Sequence, residues 1–248
     1  MAIEILDTRA IEKMRIAGKA AAATLAHVGE KIRAGVTTAD IDAWVRAHTK
    51  SLGGSPSQLG YHGFPAAVCT SRNEVVCHGI PSRAHVLEDG DVVNVDITTC
   101  IGGFHGDTSA TFMIGNVSVE ARDLVDLARR ARDAGIGVIR DGARLGDIGA
   151  AIQAVVEKEG CSVVRDFGGH GIGRNMHMDP HVPHFGTAGQ GLRLRAGMAI
   201  TVEPMVNAGR WEVRALDDDW TIVTADGSLS AQFEHTVLVT TNGFEILT

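Results

Sequence analysis

The run Val92-Val93-Asn94-Val95-Asp96-Ile97-Thr98-Thr99-Cys100-Ile101-Gly102-Gly103-Phe104-His105-Gly106-Asp107-Thr108-Ser109 decides the reading of this chain. Strand-like segments rich in β-branched residues flank Gly102-Gly103, and Gly-Gly is a strong signal for a two-residue hairpin turn. With those glycines as the turn, Asp96 stands opposite Ser109. Asp107, two residues from Ser109, then points to the same sheet face as Asp96. Diagonal neighbours across a ladder have Cα atoms roughly 7–8 Å apart, close enough for their side chains to converge. Taken alone, such a pair is a solvated hairpin feature. Asp96, however, is embedded in a largely apolar strand, where a buried charge must be paired or bound to a metal. Two ionised carboxylates meeting there repel unless a cation lies between them.

Working outward, the hairpin belongs to a unit that occurs twice. A shift of about 107 positions carries Gly35 onto Gly142, Asp40 onto Asp147, Ile41 onto Ile148 and Gly53 onto Gly160. The same shift carries Leu87 onto Leu194, Gly90 onto Gly197, Val95 onto Val202 and Asp96 onto Glu203. In a chain with 30 glycines single matches mean little, but one offset shared by helix starts, loops and strands indicates duplication. Asp7 and Thr8 are placed to cap a helix running toward Ile32, and Thr37 with Asp40 has capping-box spacing before Ile41, Trp44 and Val45. A second helical pair follows, from Ser118 through Leu124, Leu127 and Ile139, then from Ile148 through Val156. The expectation is an α+β fold: two helix–helix–strand halves, roughly residues 10–115 and 118–240, packed about a pseudo-twofold axis in a single domain spanning 1–248.

The second half supplies groups that match the aspartates. Glu203 closes the apolar run Ala199-Ile200-Thr201-Val202 and precedes Pro204, and Glu234 leads into Val237-Leu238-Val239. His170 lies in Gly168-Gly169-His170-Gly171-Ile172-Gly173, where glycines let backbones approach closely. Four carboxylates carry a charge that two divalent cations neutralise, and a metal-bound water becomes hydroxide near neutral pH. The oxygen-rich donor set fits Mn, Fe or Co better than a thiolate-bound structural Zn. H-E-x-x-H, G-x-S-x-G, Walker and G-x-G-x-x-G signatures are missing. Asp217-Asp218-Asp219 reads as an exposed turn rather than a cation site.

The bulk properties narrow the class further. The chain has 248 residues, is 44% hydrophobic and carries a formal net charge of -7, which excludes a global basic field for gripping nucleic acid. The four cysteines form no C-x-x-C pair, Met1 to Lys13 has no apolar signal core, and no run reaches about 18 apolar residues. A reducing cytoplasm without membrane attachment is expected.

Five strings resemble type I methionine aminopeptidases of the creatinase/prolidase "pita-bread" group: Asn94-Val95-Asp96-Ile97, His105-Gly106-Asp107-Thr108-Ser109, Gly169-His170-Gly171-Ile172-Gly173, Thr201-Val202-Glu203-Pro204-Met205 and Gln232-Phe233-Glu234-His235-Thr236. The resemblance extends over nearly the whole chain, including Asn73 to Pro81. It implies the pita-bread fold, with its halves around a central antiparallel sheet. It implies that Asp96, Asp107, His170, Glu203 and Glu234 hold two divalent ions (Co, Mn, Fe, Ni or Zn), with Asp107 and Glu234 bridging and Glu203 assisting as general base. It implies that His78 and His177 contact the scissile amide, and that Tyr61, Phe64, Cys69, His78, Met176, His177 and Trp220 bind the substrate, most of them around its methionine side chain. The implied activity is removal of the initiator methionine from nascent proteins and peptides with a small second residue, by metal-activated hydroxide attack on the first peptide bond. The implied partners are nascent polypeptide N-termini, with transient ribosome contact compatible and a monomer favoured. Family members vary at positions 58, 64 and 176, which leaves side-chain tolerance open. Neither an amino-terminal extension nor the type II insertion is expected, since Glu203 and Glu234 are 31 positions apart. The rival readings are an X-Pro peptidase on the same fold and a non-catalytic binding module that has lost its ligands.

Overall fold

A computed structural model describes residues 3–248; Met1 and Ala2, the start of the polar amino-terminal stretch, lie outside the described residues. Helix α1 spans Thr8–Gly29 and is capped by Asp7, whose carboxylate accepts from the Ala10 N–H at 2.8 Å. It stops short of Ile32 because the Lys31 N–H turns back to the Val28 carbonyl, tightening the last turn. Helix α2 (Thr38–Ser51) begins with the expected reciprocal box: Asp40 N–H donates to Thr37 Oγ1, and Thr37 N–H donates to Asp40 Oδ2. The first half continues through β1 (Ser55–Pro56), a 3₁₀ turn (Tyr61–Gly63), β2 (Cys69–Arg72) and β3 (Val75–Cys77) into the long hairpin β4 (Val92–Ile101) and β5 (Phe104–Met113).

The second half repeats this order. It comprises α3 (Val119–Gly137), α4 (Leu145–Lys158), β6 (Ser162–Val163), β7 (Gly169–Gly171), β8 (Met178–Val182) and β9 (Ala199–Val202). Short strands follow, β10 (Met205–Asn207), β11 (Val213–Ala215), β12 (Ile222–Thr224) and β13 (Ser230–Gln232), before β14 (Glu234–Thr240) and β15 (Gly243–Ile246). The 107-residue offset reappears as matched geometry. Gly35 N–H donates to the Leu87 carbonyl and Gly142 N–H to that of Leu194; the bridge Thr37–Val86 has its counterpart in Arg144–Arg193. Asp147 accepts from the Arg144 N–H as Asp40 does from Thr37.

Nine strands form one antiparallel sheet in the order β1-β4-β5-β14-β9-β7-β8, with β2 added to β4 and β15 to β14. The hairpin has the expected register, Asp96 opposite Ser109. The register then continues across both halves: Ser109 faces Glu234, and His235 faces Val202, which sets Glu234 level with Glu203 just past the end of β9. Asp96, Ser109, Glu234 and Glu203 therefore form one row across four strands. Asp107 lies two residues from Ser109 on the same face. The opposite face is covered by helices. Leu124, Leu127, Ile148 and Ile152 of α3 and α4 pack with Ile200, Val202, Val237 and Val239, while Val28, Ile41 and Val45 of α1 and α2 pack with Val93, Val95 and Ile97.

Helix α1 covers the sheet closely because glycines remove side chains where backbones meet. A Cβ on Gly106, next to Asp107, would strike the backbone of Ala17 and Gly18 in α1. No rotamer relieves a backbone clash, so α1 must shift. Gly106→Ala is expected to cost about 1–3 kcal/mol, a loss of roughly 3–10 °C in Tm for a domain of this size. A melting curve coincident with that of the unaltered chain would contradict the close approach.

Candidate metal centre

The concave face of the sheet holds a cavity of about 340 Å³. Its wall includes Asp96, Asp107, His170, Glu203 and Glu234, together with Tyr61, Phe64, Cys69, His78, Met176, His177 and Trp220. Every residue singled out from sequence thus lies around one space. Gln58, His62 and Thr98 complete the wall, and it contains no Lys or Arg.

One ligand atom each from Asp107, His170 and Glu234 falls within 4.8 Å of the others, a spread that one cation can draw together. His170 Nε2 lies 3.7 Å from Asp107 Oδ2 and 3.5 Å from Glu203 Oε1. Its Nδ1 faces the Gly171 carbonyl at 3.0 Å, which assigns the proton to Nδ1 and leaves the Nε2 lone pair directed at the carboxylates. Gly169 and Gly171 make this placement possible, since a Cβ on either would strike the carbonyls of Thr201 and Asp179 in adjoining strands.

Uncharged side chains orient the carboxylates. Thr98 Oγ1 donates to Asp107 Oδ1 at 2.8 Å, and Gln58 Nε2 donates to the Asp96 carbonyl at 2.8 Å and to its Oδ1 at 3.3 Å. Thr201 Oγ1 donates to Glu203 Oε1 at 2.6 Å, Gln232 Nε2 to Glu203 Oε2 at 3.2 Å, and the Glu203 N–H to His184 Nε2 at 3.1 Å. The Thr236 hydroxyl both donates to the Asp107 carbonyl and accepts from its N–H. Sequence reasoning missed these supports. Thr98 and Thr201 were findable, lying two residues from Asp96 and Glu203 on the same strand face. Gln58 and His184 come from loops that carry no periodic signal.

Burial raises the carboxyl pKa of Asp96 to about 7 and that of Glu203 to about 8. Asp107 and Glu234 are pushed well up, first by burial and then by the neighbouring carboxylates. Burial lowers His170 to about 3, so its imidazole is neutral, the form that binds a metal. Glu234 Oε1 is buried and finds no hydrogen-bond partner among the described residues. An orphaned carboxylate oxygen, three more acids and a neutral imidazole, with no basic side chain nearby, form a donor set suited to divalent cations.

Beside the carboxylates stand the aromatic and thiol groups. Phe64 and Trp220 meet edge to face at 5.0 Å, with buried Cys69 and Met176 on the same wall. His78 adopts φ 56°, a left-handed conformation unusual for a residue with a side chain, and packs against Phe167 and Trp220. His177 stands on the open side of the cleft, its Nδ1 2.8 Å from the Tyr61 hydroxyl and its ring edge-on to His170 at 4.4 Å. Partial desolvation, and secondarily His78 and His62, lower its pKa, so it too is neutral. The acidic triplet is a turn, as expected: Asp218 Oδ1 accepts from the N–H groups of Trp220 and Thr221.

Comparison with known proteins agrees with this construction. The model of metallopeptidase family M24 matches residues 12–241. The chain is 51% identical to methionine aminopeptidase A of Synechocystis sp., over 99% of this chain and 97% of that one. It superposes on the crystal structure of methionine aminopeptidase from Rickettsia prowazekii with a TM-score of 0.98 at 46% identity, covering 100% of both chains. Prolidase from Pyrococcus furiosus matches with a TM-score of 0.78 at 20% identity, over 98% of this chain and 65% of that one, a likeness of fold alone. The shared architecture is the expected pita-bread arrangement.

The raised carboxyl pKa values set the pH dependence of the metal-free protein. A carboxyl whose folded pKa lies above its unfolded value binds more protons in the folded state, so stability falls as pH rises between the two values. The Tm of chelated protein is expected to fall from about pH 5 to pH 8, the window between ordinary carboxyl values and the raised ones. Added Mn²⁺ should stabilise most at the alkaline end, where its ligands are ionised. Asp107→Asn, which removes one of the crowded charges, should flatten the decline. A chelated protein whose Tm climbs from pH 5 to pH 8 would contradict this electrostatic description.

Proposed function

The chain belongs to metallopeptidase family M24, and from that premise we propose that it removes the N-terminal methionine from proteins and peptides with a small second residue. The observation that supports this most directly is the placement of four carboxylates and a neutral imidazole beside a thiol- and aromatic-lined recess in one cavity. In this reading Asp96, Asp107, His170, Glu203 and Glu234 would hold two divalent cations whose identity is open. When bound, the cations supply Lewis acidity and lower the pKa of water to near neutrality.

The chain's own groups do the rest. The Glu203 carboxylate, fixed by Thr201 and Gln232, accepts a proton at its oxygen as the nucleophile forms. The Tyr61 hydroxyl, un-ionised because burial raises its pKa, donates to His177 Nδ1 and leaves the Nε2 proton for the carbonyl oxygen of the scissile bond. His78, neutral through burial, faces the same amide from the opposite wall. Tyr61, Phe64, Cys69, Met176 and Trp220 surround an unbranched thioether, for which aromatic faces and polarisable groups are suited. Phe167, Met205 and Gln232 line an adjoining pocket that shares His78, Asp96, His170, His177 and Glu203 with the first, where the rest of the peptide would continue.

The proposal treats residues 1–248 as one catalytic domain, because the repeat halves at roughly 10–115 and 118–240 each supply ligands to the same centre. No helix among the described residues is long and apolar enough to cross a membrane, and all four cysteines are free. Action on nascent chains in the cytoplasm, by a monomer with transient contact at the ribosome where its substrates emerge, completes the reading.

With Mn²⁺ present, Met-Ala-Ser is expected to be cleaved after methionine and X-Pro peptides to be left intact; the reverse preference would overturn the substrate assignment. Asp107→Asn and Glu234→Gln should lower kcat by about 10³-fold or more while retaining the native circular dichroism spectrum. Unchanged turnover in either variant would refute the metal-ligand roles.

A further inference from the structure

His105 is a half-buried polar residue of this region that the reaction leaves unexplained. It lies on β5 two residues before Asp107, on the same sheet face, but it does not line the cavity. Its contacts run sideways instead. The His105 N–H donates to the Gly173 carbonyl at 2.9 Å. Its ring Nδ1 lies 2.8 Å from Ser57 Oγ. With the ring proton on Nε2, Nδ1 accepts from the Ser57 hydroxyl. Ser57 is itself tied to the sheet by its N–H, which donates to the Thr98 carbonyl at 2.9 Å.

Both partners begin segments that reach into the cavity. Gly173 and Arg174 precede Met176 and His177; Ser57 precedes Gln58 and Tyr61. The far ends of these segments meet where the Tyr61 hydroxyl faces His177 Nδ1 at 2.8 Å. The two segments are therefore pinned together twice, once over the cleft by Tyr61 and His177 and once at their base by His105, whose ring binds Ser57 and whose N–H binds Gly173. His105 thus joins a segment of the first half, through its ring, to one of the second, through its backbone. The segment carrying His177 has further anchorage away from the cleft: the Arg174 guanidinium lies over the Phe104 ring at 4.7 Å and 3.5 Å from Glu4. Removing the His105 imidazole thus frees Ser57, and with it the aim of Tyr61 on His177, without releasing the His177 segment from the body of the protein.

We propose that His105 is a positioning residue for His177, a strut that holds Ser57 and through it Tyr61, and so fixes the distance between the His177 imidazole and the scissile bond. The proposal rests on the peptidase reading above and extends it. Misplacement of a catalytic group by about 1 Å costs on the order of 10²-fold in rate, which sets the scale of the effect.

The test is a double-mutant cycle with a spectroscopic arm. With saturating Mn²⁺ and Met-Ala-Ser, His105→Ala is expected to lower kcat by about 10–100-fold, while Mn²⁺ affinity measured by calorimetry stays within about threefold. In a His177→Ala background the same substitution should cost less than about threefold, because the group it positions is gone. Additive losses, or a fall in Mn²⁺ affinity that matches the fall in kcat, would overturn the proposal, since His105 would then act through the fold or through Asp107. The chain contains one tyrosine, so selective labelling gives a single ring signal from Tyr61. That signal should move in His105→Ala toward its position in His177→Ala; an unmoved signal counts against the strut whatever the kinetics. If His105→Ala does not fold, Ser57→Ala carries both arms with a smaller expected loss of a few-fold. The resonance is read without substrate, so failure of the unaltered protein to cleave methionyl peptides would defeat the peptidase reading and leave the strut decided separately.

Discussion

Four carboxyl groups face one another across a cavity whose wall offers no lysine or arginine, and the rest of the molecule is arranged around that crowding. Two ionised carboxylates about 4 Å apart repel by roughly 4 kcal/mol at the effective dielectric of a partly buried site. A few such pairs equal the whole stability of an ordinary domain, about 5–15 kcal/mol. The fold therefore holds its acids together either by keeping protons on them, as the upward pKa shifts and the contact between Glu203 and Glu234 indicate, or by admitting cations. The supporting side chains match this demand. Thr98, Thr201, Gln58 and Gln232 donate hydrogen bonds without bringing charge, so they orient oxygens while leaving the negative charge for a metal to neutralise.

Duplication explains how so costly a cluster is built by a small chain. Each half delivers an acid from a hairpin-like strand and another from its neighbour, and β5 and β14 pair at the centre. One row of the sheet then carries Asp96, Glu234 and Glu203 together, with period two fixing all of them to the concave face. A one-residue slip between β5 and β14 would send Glu234 to the helical side. Paired hydroxyl contacts, Thr236 with Asp107 and Thr108 with the Glu234 carbonyl, lock that register where the halves join.

Much of this was legible beforehand, for identifiable reasons. The Gly102-Gly103 turn dictates the hairpin register, and the register places Asp96 and Asp107 on one face. The offset of 107 residues survived because capping chemistry and turn glycines recur wherever the backbone geometry recurs, as at Gly35 and Gly142 or Asp40 and Asp147. The roles proposed for His78, His177 and the recess rest on family resemblance, since no local pattern distinguishes a cavity-lining histidine from a loop histidine. What stayed hidden depends on contacts between distant segments. Gln58 reaches Asp96 across 38 positions, His184 meets Glu203 from a loop, and His105 holds Ser57 across 48 positions. Helix ends at Gly29 and Gly137 fell short of the apolar pattern because the backbone tightened before the pattern ended.

The central claim is that side chains from both repeats converge to hold a pair of cations in this one cavity. Diffraction from Mn²⁺-soaked crystals, recorded on both sides of the manganese absorption edge, tests it most directly. The account predicts two anomalous peaks inside the cavity, both within coordination reach of Asp107 and Glu234. Peaks elsewhere on the surface with an empty cavity, in a protein that still cleaves methionyl peptides, would contradict it.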